Sequence, residues 1–339
     1  MPTNRRFILE RRPNGVPAAA DFRLSEESVP EPGEGEFVIR NIYASLDPAM
    51  RGWLDDAPSY MPPVPLGEAV RASTVGKVVA SKSADFPVGT WVSGLGAIEE
   101  YSLSREGGFT RAIDVSSVPS PSNYLSVLGA VGLTAYFGVV DVLAPKAGQT
   151  MLVSGAAGAV GSLVGQIGKI HGCRTIGIAG GPDKVRRLTE DYGYDVGIDY
   201  RGKDRAAIEA EIRTAAPGGV DLVFENVGGD ILDATLDCLA DRAVIALCGL
   251  ISEYNSVEKV GARNIWQLIV HRAMIRGFLV SDYLPRFAEG VTALAGWMGE
   301  GKLRFDEHID RGIENALPAF LRLFEGTNEG KMILQLGEP

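Results

Sequence analysis

The stretch TMLVSGAAGAVGSLVGQIGKI (150–170) holds the residues best arranged to do chemistry. Gly155, Gly158 and Gly161 follow a short apolar run at three-residue spacing. Val160, Leu163, Val164, Ile167 and Ile170 then recur at helical spacing. The glycines therefore fall at a strand-to-helix turn. A helix start carries unpaired N–H groups and the positive end of the helix dipole, which together attract a pyrophosphate. The turn from Gly158 through Ala159 and Val160 to Gly161 is the expected anion cradle. Gly158 lets the backbone approach, and Gly161 lets the helix lie close on the sheet. Plain close packing of helix on strand is the alternative explanation for the same glycines.

A second run, RTIGIAGG (174–181), ends in Ala179-Gly180-Gly181. An NAD site usually places a carboxylate there for the ribose 2′-OH. None stands at this strand end. Gly180 and its neighbour leave room for a 2′-phosphate, and Lys184 can pair with it as a point charge. NADP(H) is the dinucleotide expected. Arg186 and Arg187 read as a mostly solvated helix face.

These residues need a scaffold. Apolar runs at 150–155, 174–181, 195–200, 221–229, 242–249 and 274–280 alternate with helical stretches. Such alternation implies crossover connections, and six strands fit a doubly wound parallel α/β sheet of the Rossmann kind. The first third reads differently. EFVIRNIYASL (36–46), AVRASTVGKVVAS (69–81) and VGTWVSGLG (88–96) are short β-type runs broken by Gly and Pro. Between two of them, DDAPSYMPPVPLG (55–67) is too proline-rich for a regular element. Tyr60 in that loop is a candidate for the substrate pocket. The tail 303–336 returns to a strand–helix–strand pattern and is expected to rejoin the N-terminal domain, its helix 312–326 covering one face.

With 339 residues the chain is long for one core, and two domains are expected. Its net charge of −10 argues against broad nucleic-acid binding. The three cysteines form no CxxC pair, which fits a reducing compartment. No secretory signal pattern and no run of eighteen apolar residues is visible, so a soluble cytoplasmic protein is expected. No Cys or His precedes His171, and His171 with Cys173 makes a poor metal set. No metal is expected. No GxSxG elbow is present. Tyr254, six residues beyond Cys248 and past the fifth strand, lies where ligands sit in an open parallel sheet. Its hydroxyl can donate to oxygen charge developing in a transition state.

Several longer stretches carry a resemblance. They are SLDPAMRGW (45–53), SYMPPVPLGEAVRASTVG (59–76), GLTAYFG (132–138), AAGAVGSLVGQIGK (156–169), ENVGG (225–229), CGLISEYN (248–255), RGFLV (276–280) and EGTNEGKMIL (325–334). The chain resembles the zinc-independent medium-chain dehydrogenase/reductase superfamily. Within it, the likeness is to NADPH-dependent 2-alkenal/prostaglandin reductases and bacterial curcumin reductase-like enzymes. The resemblance implies a Rossmann domain (128–301) inserted into a GroES-like β-rich domain (1–127 plus 302–339). It implies 2′-phosphate contacts from Lys184 and Tyr200, and a nicotinamide side lined by Asn226. It also implies a cleft wall of Cys248, Gly249, Ile251 and Tyr254, backbone contacts from Phe278 and Val280, and a reach from Asn328. Some relatives have a tyrosine where this chain has Ala49, so eicosanoid specificity is not carried over. The implied reaction is reduction of a carbon–carbon double bond conjugated to a carbonyl, with Tyr254 stabilising the enolate. Quinone reduction is the enzymic alternative, and cofactor binding without turnover is the non-enzymic one. The family also implies a homodimer, formed through the sheet edge at RGFLV.

Overall fold

The computed structural model describes residues 3–339. The chain divides into two compact units, one running up to Leu125 and resuming over Glu307–Pro339, the other spanning Ser126–Asp306.

The first unit opens with an antiparallel pair, β1 (Thr3–Leu9) and β2 (Phe22–Ser28). Then come β3 (Glu36–Ser45), the short helix α1 (Met50–Trp53), β4 (Arg71–Ser81), β5 (Trp91–Ala97), β6 (Tyr101–Arg105) and β7 (Arg111–Ala112). Nearly every residue of β3 except Arg40 is buried or half-buried, as a central strand covered on both faces requires. The proline-rich segment 55–67 forms no strand or helix, and Arg12 pins its ends by donating to Leu54 O (2.9 Å) and Val64 O (2.7 Å).

The second unit alternates. Helix α2 (Ala130–Phe137) leads to β8 (Thr150–Ser154), α3 (Ala159–Ile170), β9 (Arg174–Ala179), α4 (Pro182–Glu190) and β10 (Val196–Asp199). Then follow α5 (Arg205–Ala215), β11 (Val220–Glu225), α6 (Gly229–Leu236), β12 (Leu239–Leu247), α7 (Gln267–Val270), β13 (Met274–Gly277) and α8 (Phe287–Gly299). The six strands pair in parallel in the order β10-β9-β8-β11-β12-β13. The order reverses between β8 and β11, so the crevice at their carboxyl ends is the switch point where such sheets take ligands. Leu152, Ile176, Ile198, Val223 and Ile245 form the buried heart of this sheet, with Ile208, Ile212 and Ile231 packing on it from the helices.

The tail supplies β14 (Glu307–Arg311), α9 (Ala316–Glu325) and β15 (Lys331–Gln335). The second sheet runs β14-β15-β3-β4-β5-β7, with β6 also on β3. One apolar core joins Leu9, Phe22, Met50 and Ile98 to Ile313, Phe320, Met332 and Leu334 from the other end of the chain. Lys331 is buried, and its Nζ donates to Leu46 O and Met332 O (both 2.6 Å) with Asp47 at 3.2 Å. The texture of the sequence changes at 301–302, whereas the second unit extends to Asp306. Gln166 exchanges two 2.7 Å bonds with the Arg304 backbone, and Asp306 accepts from Arg187 and Tyr192, tying this segment to α3 and α4.

Candidate active site

The glycine turn divides its labour. Gly155 leaves β8 in a left-handed conformation (φ +59°). Gly158 caps α3 with no side-chain bond, and the first turn holds no acid to satisfy its amides or dipole. Gly158, Ala159 and Val160 are half-buried, whereas Gly161 is buried. A Cβ on Gly161 would lie 2.4 Å from Gly155 O and 2.7 Å from Ala156 Cα. Packing therefore explains Gly161. It also explains Gly165, whose Cβ would strike the Tyr194 ring at 2.1 Å, where the Tyr194 hydroxyl donates to Gly161 O (2.6 Å). A Cβ on Gly158 would meet Gly155 O alone, at 3.2 Å. Gly158 is thus the glycine that packing does not require, and it stands at an accessible set of amides.

The second corner forms at the ends of β9 and β10. Tyr200 lies across Gly180, its ring and hydroxyl 3.0 Å from where a Cβ would be. Gly181 (φ +95°) caps α4, and the Arg201 guanidinium lies 3.3 Å from its Cβ position. Lys184 is half-buried in the first turn of α4. An acid is also present. Asp199, paired in register with Ala179, accepts from Gly181 N (2.7 Å) and Arg201 N (2.9 Å). Burial works against its charge, but these amides together with Lys203 and Arg201 outweigh it and hold the carboxyl below its usual range. The expectation for Arg187 needs correction. Arg186 pairs with Glu190 on the surface, but Arg187 is only 16% exposed and binds Asp191, Asp306 and Tyr192. An arginine among that many partners is structural, not a solvated face.

At the switch point, Ser154 ends β8 and Glu225 ends β11. Both are buried, and Ser154 Oγ donates to Glu225 Oε1 (2.8 Å). Asn226 is held by two bonds: its N–H donates to Ser154 Oγ (2.8 Å) and its Nδ2 to Ser154 O (2.7 Å). The segment after β12 docks on this turn, with Ile251 N donating to Asn226 O (3.1 Å). Tyr254 follows a single helical turn, Ile251–Glu253. Its hydroxyl accepts from Leu250 N (3.3 Å) and lies 2.9 Å from the Cβ position of Gly249. Cys248, Gly249, Leu250, Tyr254 and Phe278 line a shallow crevice of ≈ 440 Å³. Phe278 meets Phe224 edge-on, and Val280 opens the next helical turn. Burial, with the Glu225 charge adding to it, pushes the Cys248 thiol up to about 12, so it is no nucleophile at neutral pH.

Two family models match, one described as an N-terminal domain of oxidoreductase (residues 5–112) and one as a zinc-binding dehydrogenase (residues 159–296). The NADPH-dependent curcumin reductase of Escherichia coli (strain K12) is 40% identical over 98% of this chain and 97% of its own. The NADP(+)-dependent 2-alkenal reductase of Nicotiana tabacum is 35% identical over 98% of each chain. The crystal structure of CurA from Vibrio vulnificus in complex with NADPH is 40% identical and superposes with a TM-score of 0.92, over 99% of this chain and 100% of that one. The chain belongs to the zinc-independent medium-chain dehydrogenase/reductases.

The name of the second model does not bring zinc ligands with it. Among the described residues of this reductase, no group of three or more His, Cys, Asp or Glu side chains could hold a metal. His171 ends α3 with its ring edge-on to Trp297, and the Cys173 thiol faces Lys146 O. In the other unit, Tyr60 is 53% exposed in its loop. Asn328 is buried and donates to Gly330 O (2.9 Å), a bond that shapes the turn before β15. Sequence reasoning missed three residues of this reductase: Asp199, Arg201 and Glu225. No linear signal marked the first two, because Asp199 and Arg201 reach the corner only through the pairing of β10 with β9. Glu225 stood in the quoted ENVGG stretch, but nothing in the spacing marks a fully buried carboxylate.

Proposed function

We propose that this protein is an NADPH-dependent reductase of the carbon–carbon double bond in α,β-unsaturated carbonyl compounds. The observation that carries the reading is the Tyr254 hydroxyl, held in the crevice at the carboxyl ends of β12 and β13 of a dinucleotide-type sheet whose helix after β8 has no side-chain cap. The activities named for the tobacco and Escherichia coli relatives support the substrate class.

The residues present fit the cofactor. The accessible, acid-free turn Gly158–Gly161 suits a pyrophosphate. Gly180, Tyr200 and Lys184 form a corner suited to a 2′-phosphate. Cys248, Gly249 and Phe278 line the crevice that suits the nicotinamide, and Asn226, Ile251 and Val280 stand on the adjoining turns. Bound there, NADPH would supply a hydride to the β-carbon of the substrate. Negative charge then gathers on the carbonyl oxygen. Tyr254 donates to that oxygen. The Leu250 amide orients the phenol, and accepting from it strengthens that donor. The α-carbon takes its proton from water or by way of Tyr254. Conjugation already polarises the acceptor, so no stronger electrophile is required.

The reading extends to assembly. Strand β13 is a sheet edge, and Ile265, Trp266, Ile269 and Met274 beside it are each at least half exposed. A second copy of the chain covers them in a cytoplasmic homodimer, consistent with three free cysteines. A monomer in sedimentation equilibrium at micromolar concentration would remove that extension. The test of the activity is NADPH and NADH oxidation with parallel enones, enals and quinones. Rapid oxidation of NADPH by enones or enals is expected. Turnover with quinones alone, or with none of the panel, would refute the reading.

A further inference from the structure

The buried carboxyl of Glu225 is the least expected group in the fold, and its contacts lead to Tyr254. One oxygen, Oε1, accepts from Ser154 Oγ (2.8 Å), Val227 N (2.6 Å) and Gly228 N (2.7 Å). The other, Oε2, is buried and has no hydrogen-bond partner among the described residues. The backbone carbonyl of Glu225 accepts from Cys248 N (2.9 Å) and Gly249 N (3.1 Å). So one residue clasps the end of β8, its own turn and the end of β12. The turn it clasps carries the next layer. Asn226 O accepts from Ile251 N (3.1 Å), while Val227 O accepts from Ser252 N (3.0 Å) and Ser252 Oγ (2.6 Å). These bonds hold the single helical turn that ends at Tyr254, and Leu250 between them donates to the Tyr254 hydroxyl.

We infer that Glu225 is the positioning residue for Tyr254: it sets the Asn226–Gly228 turn, and through that turn the place of the phenol in the crevice. The inference rests on the reading of Tyr254 as the oxygen-stabilising donor. Two features argue against a role in packing alone. An apolar side chain would fill a buried site more cheaply than a carboxyl does. And the three donors to Oε1 come from the carboxyl end of β8 and the turn after β11, so the carboxyl orders the ligand side of the sheet. Burial pushes the carboxyl up, and the bonds from Ser154, Val227 and Gly228 work against that. A glutamine offers a carbonyl acceptor at the position of Oε1.

The test is a double-mutant cycle with an enone and NADPH, using Glu225→Ala, Glu225→Gln, Ser154→Ala and Tyr254→Phe. Misplacing a catalytic group by an ångström can cost about a hundredfold. Glu225→Ala is expected to lower kcat by about ten- to a hundredfold, with Kd for NADPH changed by less than about threefold. Glu225→Gln is expected to restore most of that loss. In the Tyr254→Phe background the Glu225→Ala loss should largely vanish, because the group being positioned has already gone. Equal losses in both backgrounds, or no rescue by glutamine, would overturn the inference. If Tyr254→Phe alone keeps wild-type kcat, the reading of Tyr254 itself fails, a different result. Should Glu225→Ala not fold, Ser154→Ala removes one donor to Oε1 and must show the same non-additivity with Tyr254→Phe. Additive behaviour there overturns the inference equally.

Discussion

Gly158→Ala and Gly161→Ala, three residues apart in one turn, should fail in different ways. At Gly161 an added methyl would sit 2.7 Å from Ala156 Cα and 2.4 Å from Gly155 O. Carbon atoms rest about 3.5–4.0 Å apart, so roughly an ångström must be found by moving backbone. Overpacking against backbone atoms that cannot give costs about 2–3 kcal/mol, and the helix gain of alanine over glycine returns at most about 1 kcal/mol. The clash wins, leaving a net loss of about 1–2 kcal/mol. At about 2–4 °C per kcal/mol for a unit this size, the transition should fall by about 2–8 °C. Gly158 is different. Its φ of −78° suits alanine, and its methyl meets one atom at 3.2 Å. The cost to stability is a few tenths to about 1 kcal/mol, from the poorer cap. The methyl instead crowds the amides offered to the pyrophosphate. Charge-assisted hydrogen bonds contribute about 1.5–3 kcal/mol, so Kd for NADPH should rise about ten- to a hundredfold. Scanning fluorimetry and NADPH titration by quenching measure both quantities. A Gly161→Ala protein melting at the wild-type temperature would refute the packing argument. A Gly158→Ala protein binding NADPH as tightly as wild type would refute the assignment of the turn.

Other expectations follow from the same geometry. Tyr254→Phe should cut kcat for an enone about a hundredfold with little change in NADPH affinity, and undiminished kcat would exclude the donor role. Lys184→Ala should weaken NADPH about tenfold or more while leaving NADH unaffected in direct titrations. An equal loss for both nucleotides would mean that Lys184 does not read the 2′-phosphate. Alkaline pH should destabilise the native state. Burial pushes Cys248 up to about 12 and Cys238 to about 11, and burial with the Glu289 bond takes Tyr136 to about 12. Unfolded thiols ionise near about 8.5, so above that pH the unfolded chain releases protons that the native chain retains. The urea midpoint should therefore fall steadily from about pH 9 upward, and a midpoint flat to pH 11 would contradict the burial.

Much of the second unit was legible because parallel strands covered by helices write themselves as apolar runs at regular intervals. Runs 150–155, 174–181 and 242–249 needed no tertiary information. What escaped depended on register. Asp199 enters the β9 corner because it pairs with Ala179, and no linear pattern states that pairing. Arg187 looked like a helix-face charge until Asp306, more than a hundred residues on, came to meet it. The glycine motif marked the strand-to-helix turn, and Gly161 packs against Ala156 there, but Gly165, dictated by Tyr194, lies outside that motif. The loop 55–67 was recognised as irregular by its prolines, but the Arg12 bonds that fix its ends come from a residue over forty positions earlier.

The return of the chain to its first sheet has a consequence for biosynthesis. Strand β3 is flanked by β15, whose residues 331–335 follow it in the chain by almost three hundred positions. At about 5–20 residues per second, about 15–60 s separate the emergence of the two parts. Through that interval the nascent amino-terminal strands present an open edge and an uncovered apolar face. The inserted unit, encoded without interruption, is free to mature first. Chaperone capture during translation should accordingly fall on the amino-terminal strands, and a stop codon before Lys331 should yield an insoluble product with an intact nucleotide-binding half.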